Sequence, residues 1–423
     1  MVYSSLTYKL GLLSCLYFCQ GVPFGFVSQA LPAMLRDYGV SLDKIGLISL
    51  VALPWALKFL WAPYVDHYGH DRLGKRKSWL IPLQLLAVAC LLGMACLNPE
   101  SLQGSDLIWL VILLLLANMV AATQDIATDG LAVASLPPRH RGLANGIQVG
   151  GYRVGMLFGG GVVLVLLHHL GWTLAFVALA AILLLASVPV WFYREPAIRE
   201  HSEEIAVPQR FRSITGILKQ FVLQPGMWGW VFVLTFYKLG DAFGSAMGKP
   251  LLVDLGLSLE QVGWISGGAG MVAGISGALL GGWLVMHLGR VKCLVSFGIL
   301  QAVSQLGYWW LAVTPSNLEL TILITAGEHF FGGMATAALF TLMMDACRRP
   351  LAGTDYTIQA SVQVIVVGIM NSASGFSAQW LGYDGHFMLA FLLGMVALLP
   401  VVFWLKQVPE LQRKAWHLSR IPT

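Results

Sequence analysis

The chain has 423 residues, 57% of them apolar and only 11% charged, with a mean hydropathy of +0.72 and a formal net charge of +5. These values exclude a water-soluble globular fold, whose surface needs about a quarter of its residues charged. The small basic excess is read as following from how the loops of a membrane chain are charged and not as nucleic-acid binding, so no nucleic-acid partner is expected.

Stretches of about 20 apolar residues are long enough to cross a ~30 Å hydrocarbon core. By that criterion twelve spans are predicted, near 8–30, 45–65, 79–97, 107–134, 143–167, 172–193, 227–248, 260–285, 293–313, 320–345, 357–378 and 387–406. The first has no signal-peptide cleavage pattern and is expected to stay as a membrane anchor. Between the sixth and seventh lies the only long polar stretch, 194–225, with Arg194, Glu195, Arg199, Glu200, Glu203, Glu204, Arg210, Arg212 and Lys219, read as a solvated tether. The expected fold is therefore all-α, with an amino-terminal six-helix bundle (1–193), a cytoplasmic linker (194–225) and a carboxy-terminal six-helix bundle with a tail (226–423).

An internal repeat supports the two-bundle division. Residues 37–49, DYGVSLDKIGLIS, return as 254–266, DLGLSLEQVGWIS, identical at seven of thirteen positions and offset by 217. Two halves of one design in a membrane chain point to a two-bundle transporter with pseudo-twofold symmetry. Twenty of the twenty-six Lys and Arg fall in segments that are cytoplasmic if the amino terminus is inside, and only Arg36, Lys44 and Lys249 fall on the other side. Both termini are thus expected in the cytoplasm. The six cysteines lie in or at the ends of apolar spans without metal-ligand spacing, and are read as small core residues.

Motifs in the loops carry a resemblance. Ala62-Pro63-Tyr64-Val65-Asp66-His67-Tyr68-Gly69, followed by Gly74-Lys75-Arg76-Lys77, resembles the Asp-Arg-x-Gly-Arg-Arg loop of the major facilitator superfamily. The matching place in the second half, Met286-His287-Leu288-Gly289-Arg290-Val291-Lys292, keeps the basic residues but lacks the Asp. Leu136-Pro137-Pro138-Arg139-His140-Arg141-Gly142 resembles a further loop of the same superfamily. Within it, Lys58-Phe59-Leu60-Trp61-Ala62-Pro63, Gln124-Asp125-Ile126 with Asp129, Gly151-Tyr152-Arg153-Val154-Gly155-Met156, Tyr237-Lys238-Leu239-Gly240-Asp241 and Gly298-Ile299-Leu300-Gln301 look like the muropeptide permease (AmpG-like) group. AmpG-type proteins carry further carboxy-terminal spans. The twelve-span build, and the opening Tyr17-Phe18-Cys19-Gln20-Gly21-Val22-Pro23-Phe24 with Gln29-Ala30-Leu31-Pro32, are more similar to the RhtX/FptX type of siderophore permease.

Ionisable groups within the spans locate the candidate machinery, since each costs at least ~2.5–3.5 kcal/mol in hydrocarbon unless it faces a partner or water. Counting about 1.5 Å per helical residue, Lys58 and Asp129 fall at one depth, Arg153 and Asp125 at a deeper one. Asp125 and Asp129, four apart, share a helical face. They are read either as a fixed salt-bridge network or as proton carriers, with Asp125 first. In the second half, Lys238 and Asp241 form a local pair or serve solute and proton. Glu328 is expected to reach Lys238, and His329 is either a titrating group or a packing residue. The proton-coupling candidates are thus Asp125, Asp129, Asp241 and Glu328.

Solute binding is assigned to aromatics and amides in mid-span, Tyr17, Gln20, Phe24, Gln124, Tyr152, Tyr237, Gln301 and Trp309, with Arg153, Lys238 and His329 beside them. Such a set suits an amphiphilic, ring-bearing solute. Asp66 is expected to accept hydrogen bonds at the start of span eleven near Thr354 and Tyr356, closing the inner gate, with Lys58, Lys75, Arg76 and Arg141 joining it. Glycine runs on spans five and eight, from Gly150 to Gly161 and from Gly263 to Gly282, are read as sliding surfaces or as static close packing.

With no nucleophile motif, phosphate-cradling loop or metal-ligand cluster in the sequence, no enzyme, cofactor or metal site is expected. The expected function is a proton-coupled importer in the bacterial inner membrane, acting as a monomer on a siderophore or similar chelate by alternating access. A muropeptide importer and an uncoupled facilitator are the alternatives.

Overall fold

The computed structural model describes residues 5–31, 34–35, 49–70, 73–102, 104–195, 214–314 and 317–407. These residues trace twelve helical passes. Pass one is Leu6–Gly25, capped by the Ser5 hydroxyl and prolonged by a wider turn at Phe26–Ala30. Pass three is Lys77–Ala95, pass four Ser105–Ser135, pass nine Arg290–Val313 and pass ten Leu318–Asp345. Pass eight combines Leu259–Val262, Gly263–Ala269 and Gly270–Leu288.

Pass two departs from the continuous span expected. It is a chain of short pieces, Ser49–Ala52, Leu53–Leu57, Lys58–Leu60 and Ala62–His67. Pro54 and Pro63 stand in the first turn of two of these pieces, where the missing N–H is harmless but the preceding helix cannot continue. Pass seven breaks likewise, between Met227–Phe236 and Leu239–Asp254, with Lys238 out of helical conformation at the junction.

Two glycines make turns without loops. Passes five and six run on from Arg141–Leu157 and Phe158–Val162 into Val163–Phe192, divided at Gly171 with φ 74° and ψ 178°. Passes eleven and twelve begin in Ala352–Val396, divided at Gly382 with φ 70° and ψ 172°, and end in Leu399–Gln407. Only glycine adopts that backbone region without severe strain. Leu170-Gly171-Trp172 and Leu381-Gly382-Tyr383 hold matching places, so the duplication is visible in the backbone.

Residues 37–48 of the first repeat copy, Arg36, Lys44, Arg72, linker residues 196–213 and the tail from 408 lie outside the described residues. The linker's last part is not a tether: Ile214–Val222 is a helix that buries Ile217 and Phe221.

The chain forms two compact units, one of Met1–Leu136, Gly151–His201 and Arg348–Thr357, the other of Pro137–Gly150, Ser202–Cys347 and Ile358–Thr423. Two short segments therefore count with the unit opposite to the one their neighbours in sequence belong to. Outward faces of the passes are apolar, with Leu185, Trp264, Val272 and Trp380 among the exposed side chains. A bilayer offers no hydrophobic drive between helices, so close packing of small residues holds the helices of each unit together. In the first unit a Cβ on Gly155 would strike the Phe18 carbonyl, and one on Gly159 the Val22 carbonyl. In the second, Gly277 and Gly281 lie against the backbone at Phe330 and Met334. These glycines give close packing of pass one on five and pass eight on ten. The first part of pass five meets pass eight, where Gly142 and Gly282 each touch the other's carbonyl and Gly146 faces Ala278.

Candidate functional site

In the first unit the charges of passes two and four meet. Lys58, 3% exposed, forms an ion pair with Asp125. This differs from the depth count, which matched Lys58 to Asp129. Lys58–Leu60 is a 3₁₀ turn rising about 2 Å per residue, and the broken pass carries the lysine away from the level a straight helix would give it. Asp129 instead accepts the Tyr17 hydroxyl at 2.8 Å. Gln20 donates to the Thr128 hydroxyl at 2.8 Å, and Thr128 donates to the Gln124 carbonyl at 2.8 Å. The Gln124 side-chain nitrogen, buried, has no hydrogen-bond partner among the described residues. Tyr17, Gln20, Gln124, Asp125 and Asp129 thus form one buried polar layer between passes one and four.

Beside that layer stands a wall of rings. Trp55 lies 6.1 Å from Phe24 and 6.2 Å from Tyr152 by ring centroids, and Phe24 lies 5.8 Å from Tyr152. The Lys58 ammonium sits 5.4 Å from the Trp55 ring centroid, a cation–π distance. Arg153 follows Tyr152 on pass five and is half-buried. Sequence reasoning singled out Phe24 and Tyr152 and missed Trp55. Its place three residues before Lys58, one helical turn away, was the available signal.

In the second unit the break in pass seven presents Lys238. Its ammonium lies 3.3 Å from Asp241, from the Gln301 side-chain oxygen and from the Gly332 carbonyl. Glu328, expected to reach Lys238, is taken by its own neighbour: His329 Nδ1 lies 2.7 Å from its carboxylate and 3.0 Å from the Thr325 carbonyl. Two residues expected to meet solute make contacts within the unit. The Tyr237 hydroxyl donates to the Leu294 carbonyl at 2.8 Å, and its ring packs at Gly298. Trp309, on the same helical face as Gln301 and Gln305, is partly buried and packs on the apolar cluster of Leu251, Leu252, Val262 and Leu311.

At the ends of the passes, carboxylates meet arginines and helix starts. Asp66 pairs with Arg76 and accepts from the Thr354 N–H at 2.5 Å, the Thr354 hydroxyl at 2.6 Å and the Gly353 N–H at 3.3 Å. The amino-terminal dipole of pass eleven favours an anion there. Lys75 is not the cation involved; its carbonyl accepts the Ser78 hydroxyl. Arg141 donates to Asp345 at 2.7 Å and to the Met344 carbonyl at 3.1 Å, and Arg290 donates to Asp345 at 3.0 Å and to the Pro138 carbonyl at 2.5 Å. Arg348 holds Asp355 through its backbone N–H and guanidinium. Asp345 and Asp355 were not singled out from sequence.

Comparison with known proteins gives the setting of these groups. The profile described as "Major Facilitator Superfamily" matches residues 13–363 and 236–420. The chain is 30% identical over 383 residues, 90% of its length, to the anhydromuropeptide permease of Escherichia coli K12, of which the match covers 76%. It is 27% identical over 402 residues to the putative transporter AmpG 4 of Rickettsia conorii, covering 94% of this chain and 96% of that protein. Its fold matches the crystal structure of FucP, a major facilitator transporter in the outward conformation, with a TM-score of 0.71 at 15% identity over 95% of this chain and 99% of that one. The proton:xylose symporter XylE matches with a TM-score of 0.71 at 14% identity, over 96% and 97%.

Proposed function

Because the chain belongs to the Major Facilitator Superfamily and is a transporter, not an enzyme, we propose that it imports an anhydromuropeptide-type solute, a sugar ring bearing a peptide, across the bacterial inner membrane together with protons. The observation that carries the solute class is the 30% identity along 90% of the chain to the anhydromuropeptide permease. The siderophore reading rested on the shorter build and on the opening segment from Tyr17 to Pro32. A relative bearing the AmpG name is itself matched over 96% of its length, so build no longer favours the siderophore.

In this reading Lys58 and Asp125 couple solute to proton. A solute carboxylate competes with Asp125 for Lys58. The buried ion pair thus links solute binding to the proton that Asp125 carries. When the solute leaves, Lys58 returns to Asp125. Asp129, held by Tyr17, serves as neighbouring polar support, and the Lys238–Asp241 pair is the polar group of the second unit. The Asp66 and Asp345 clusters hold the cytoplasmic ends in place until the cycle opens them, and both termini lie in the cytoplasm.

The test is uptake in a permease-deleted strain expressing this chain, with labelled anhydromuropeptide set against labelled ferric siderophore. Accumulation of the first and not the second is expected, and the reverse result overturns the solute assignment. Proton influx on adding solute to proteoliposomes distinguishes coupled import from an uncoupled facilitator.

A further inference from the structure

Phe24, Trp55 and Tyr152 make a triangle with an arrangement that matters. Their planes meet at 79°, 81° and 45°, so no two of the rings lie flat on one another. All three are half-buried, whereas the polar groups next to them, Lys58, Asn118 and Asp125, are buried. The rings are therefore the more accessible part of this region.

Trp55 is also fixed in orientation. Its indole N–H donates to the Asn118 side-chain oxygen at 3.1 Å, and Asn118, fully buried, donates in turn to the Leu114 carbonyl at 2.9 Å. A tryptophan that only meets lipid turns its N–H toward the membrane surface. This one turns it inward, where the hydrogen bond and the Lys58 ammonium on the ring hold the indole before any solute arrives, reducing the ordering cost of binding.

We propose that this triangle seats the sugar ring of the transported molecule and that Trp55 is its specificity-determining residue, an inference that rests on the sugar–peptide reading of the solute. A sugar ring presents a face of C–H bonds, polarised slightly positive, to the negative π-face of an indole, while its hydroxyl and amide substituents project at the rim. The rim substituents then meet the Lys58–Asp125 pair. A peptide alone has no such flat C–H face, and the triangle offers it little.

The experiment uses membrane vesicles containing the full chain and a labelled anhydromuropeptide, with two competitors: the anhydro-sugar without peptide, and the peptide without sugar. Trp55→Leu is expected to raise KM about tenfold with kcat nearly unchanged, and to abolish inhibition by the sugar while leaving inhibition by the peptide as it was. Trp55→Phe, which keeps a ring, restores most of the sugar inhibition. Undiminished sugar inhibition in Trp55→Leu overturns the inference, as does an equal loss of both inhibitions, which marks a structural role. If the parent chain takes up no anhydromuropeptide, the solute class itself fails and the inference goes with it. A Trp55→Leu protein that does not accumulate leaves the decision to Trp55→Phe and Tyr152→Leu, which must shift sugar inhibition without shifting peptide inhibition.

Discussion

Asp66 and Asp345 supply equivalent carboxylates from non-equivalent places in the two halves. With Gly69 set against Gly289, the position of Asp66 is taken by Met286, and the second half draws its carboxylate from the last residue of pass ten. Each is buried beside an arginine of its own motif loop, Arg76 or Arg290, and each holds the beginning of a helix. Asp66 does so through the backbone N–H groups of Gly353 and Thr354, and Asp345 through the side chain of Arg141. The missing Asp of the second loop is thus a relocated group.

That difference predicts unequal costs. Asp345→Ala leaves two buried guanidinium groups without their counter-charge, and breaking such an arrangement costs about 3–5 kcal/mol. Asp66→Asn retains an acceptor for the helix start and loses the charge, about 1–3 kcal/mol. Thermal unfolding in detergent is expected to rank Asp345→Ala well below Asp66→Asn. Equal midpoints would contradict the two-arginine account.

Loosening the Asp66 contact has a local reporter. Thr357, one turn beyond Thr354 and fully buried, is replaced by Cys in a background lacking other reactive thiols. Adding Asp66→Asn is expected to speed its labelling several-fold; an unchanged rate would mean the contact merely positions the loop.

Coupling is tested at Asp125. Asp125→Asn is expected to abolish proton-driven accumulation and to leave exchange of solute down its own gradient, because exchange needs no net proton release. Lys58→Met strands a buried carboxylate and is expected to reduce expression, while Lys58→Met with Asp125→Leu recovers folding but not transport. Full accumulation by a well-expressed Asp125→Asn protein would pass the role to Asp241 or Glu328.

The glycines of pass five separate packing from mere composition. Gly159→Ala drives a methyl into the Val22 carbonyl and is expected to cost about 1–3 kcal/mol. Gly161→Ala, two residues on, meets only Leu157 Cδ1 at 3.8 Å, and is expected to leave the melting temperature unchanged or raised. Similar losses at both would mean that helix propensity and not contact decides.

The architecture was readable because span length and hydropathy are local properties: the all-α fold and its twelve passes follow from runs of apolar residues. The ion pairing was not readable in the same way. Placing Lys58 beside Asp129 assumed a uniform helical rise, whereas Pro54 and Pro63 turn pass two into a chain of short turns. Trp55 and Asp345 escaped notice for a different reason. A tryptophan in a span reads as a lipid contact, and an aspartate at a span's end reads as solvated, until the facing side chains are known. Here those are Asn118 for one and two arginines for the other.

Gly171 and Gly382 each join two passes through a single residue with no connecting loop. An epitope or protease site inserted after either one would have to unwind a helical turn before it could project, so side-mapping by insertion would there report damage in place of topology. Single-residue labels are the suitable instrument at those two turns, and Trp380, almost wholly exposed just before the second, is a natural place for one.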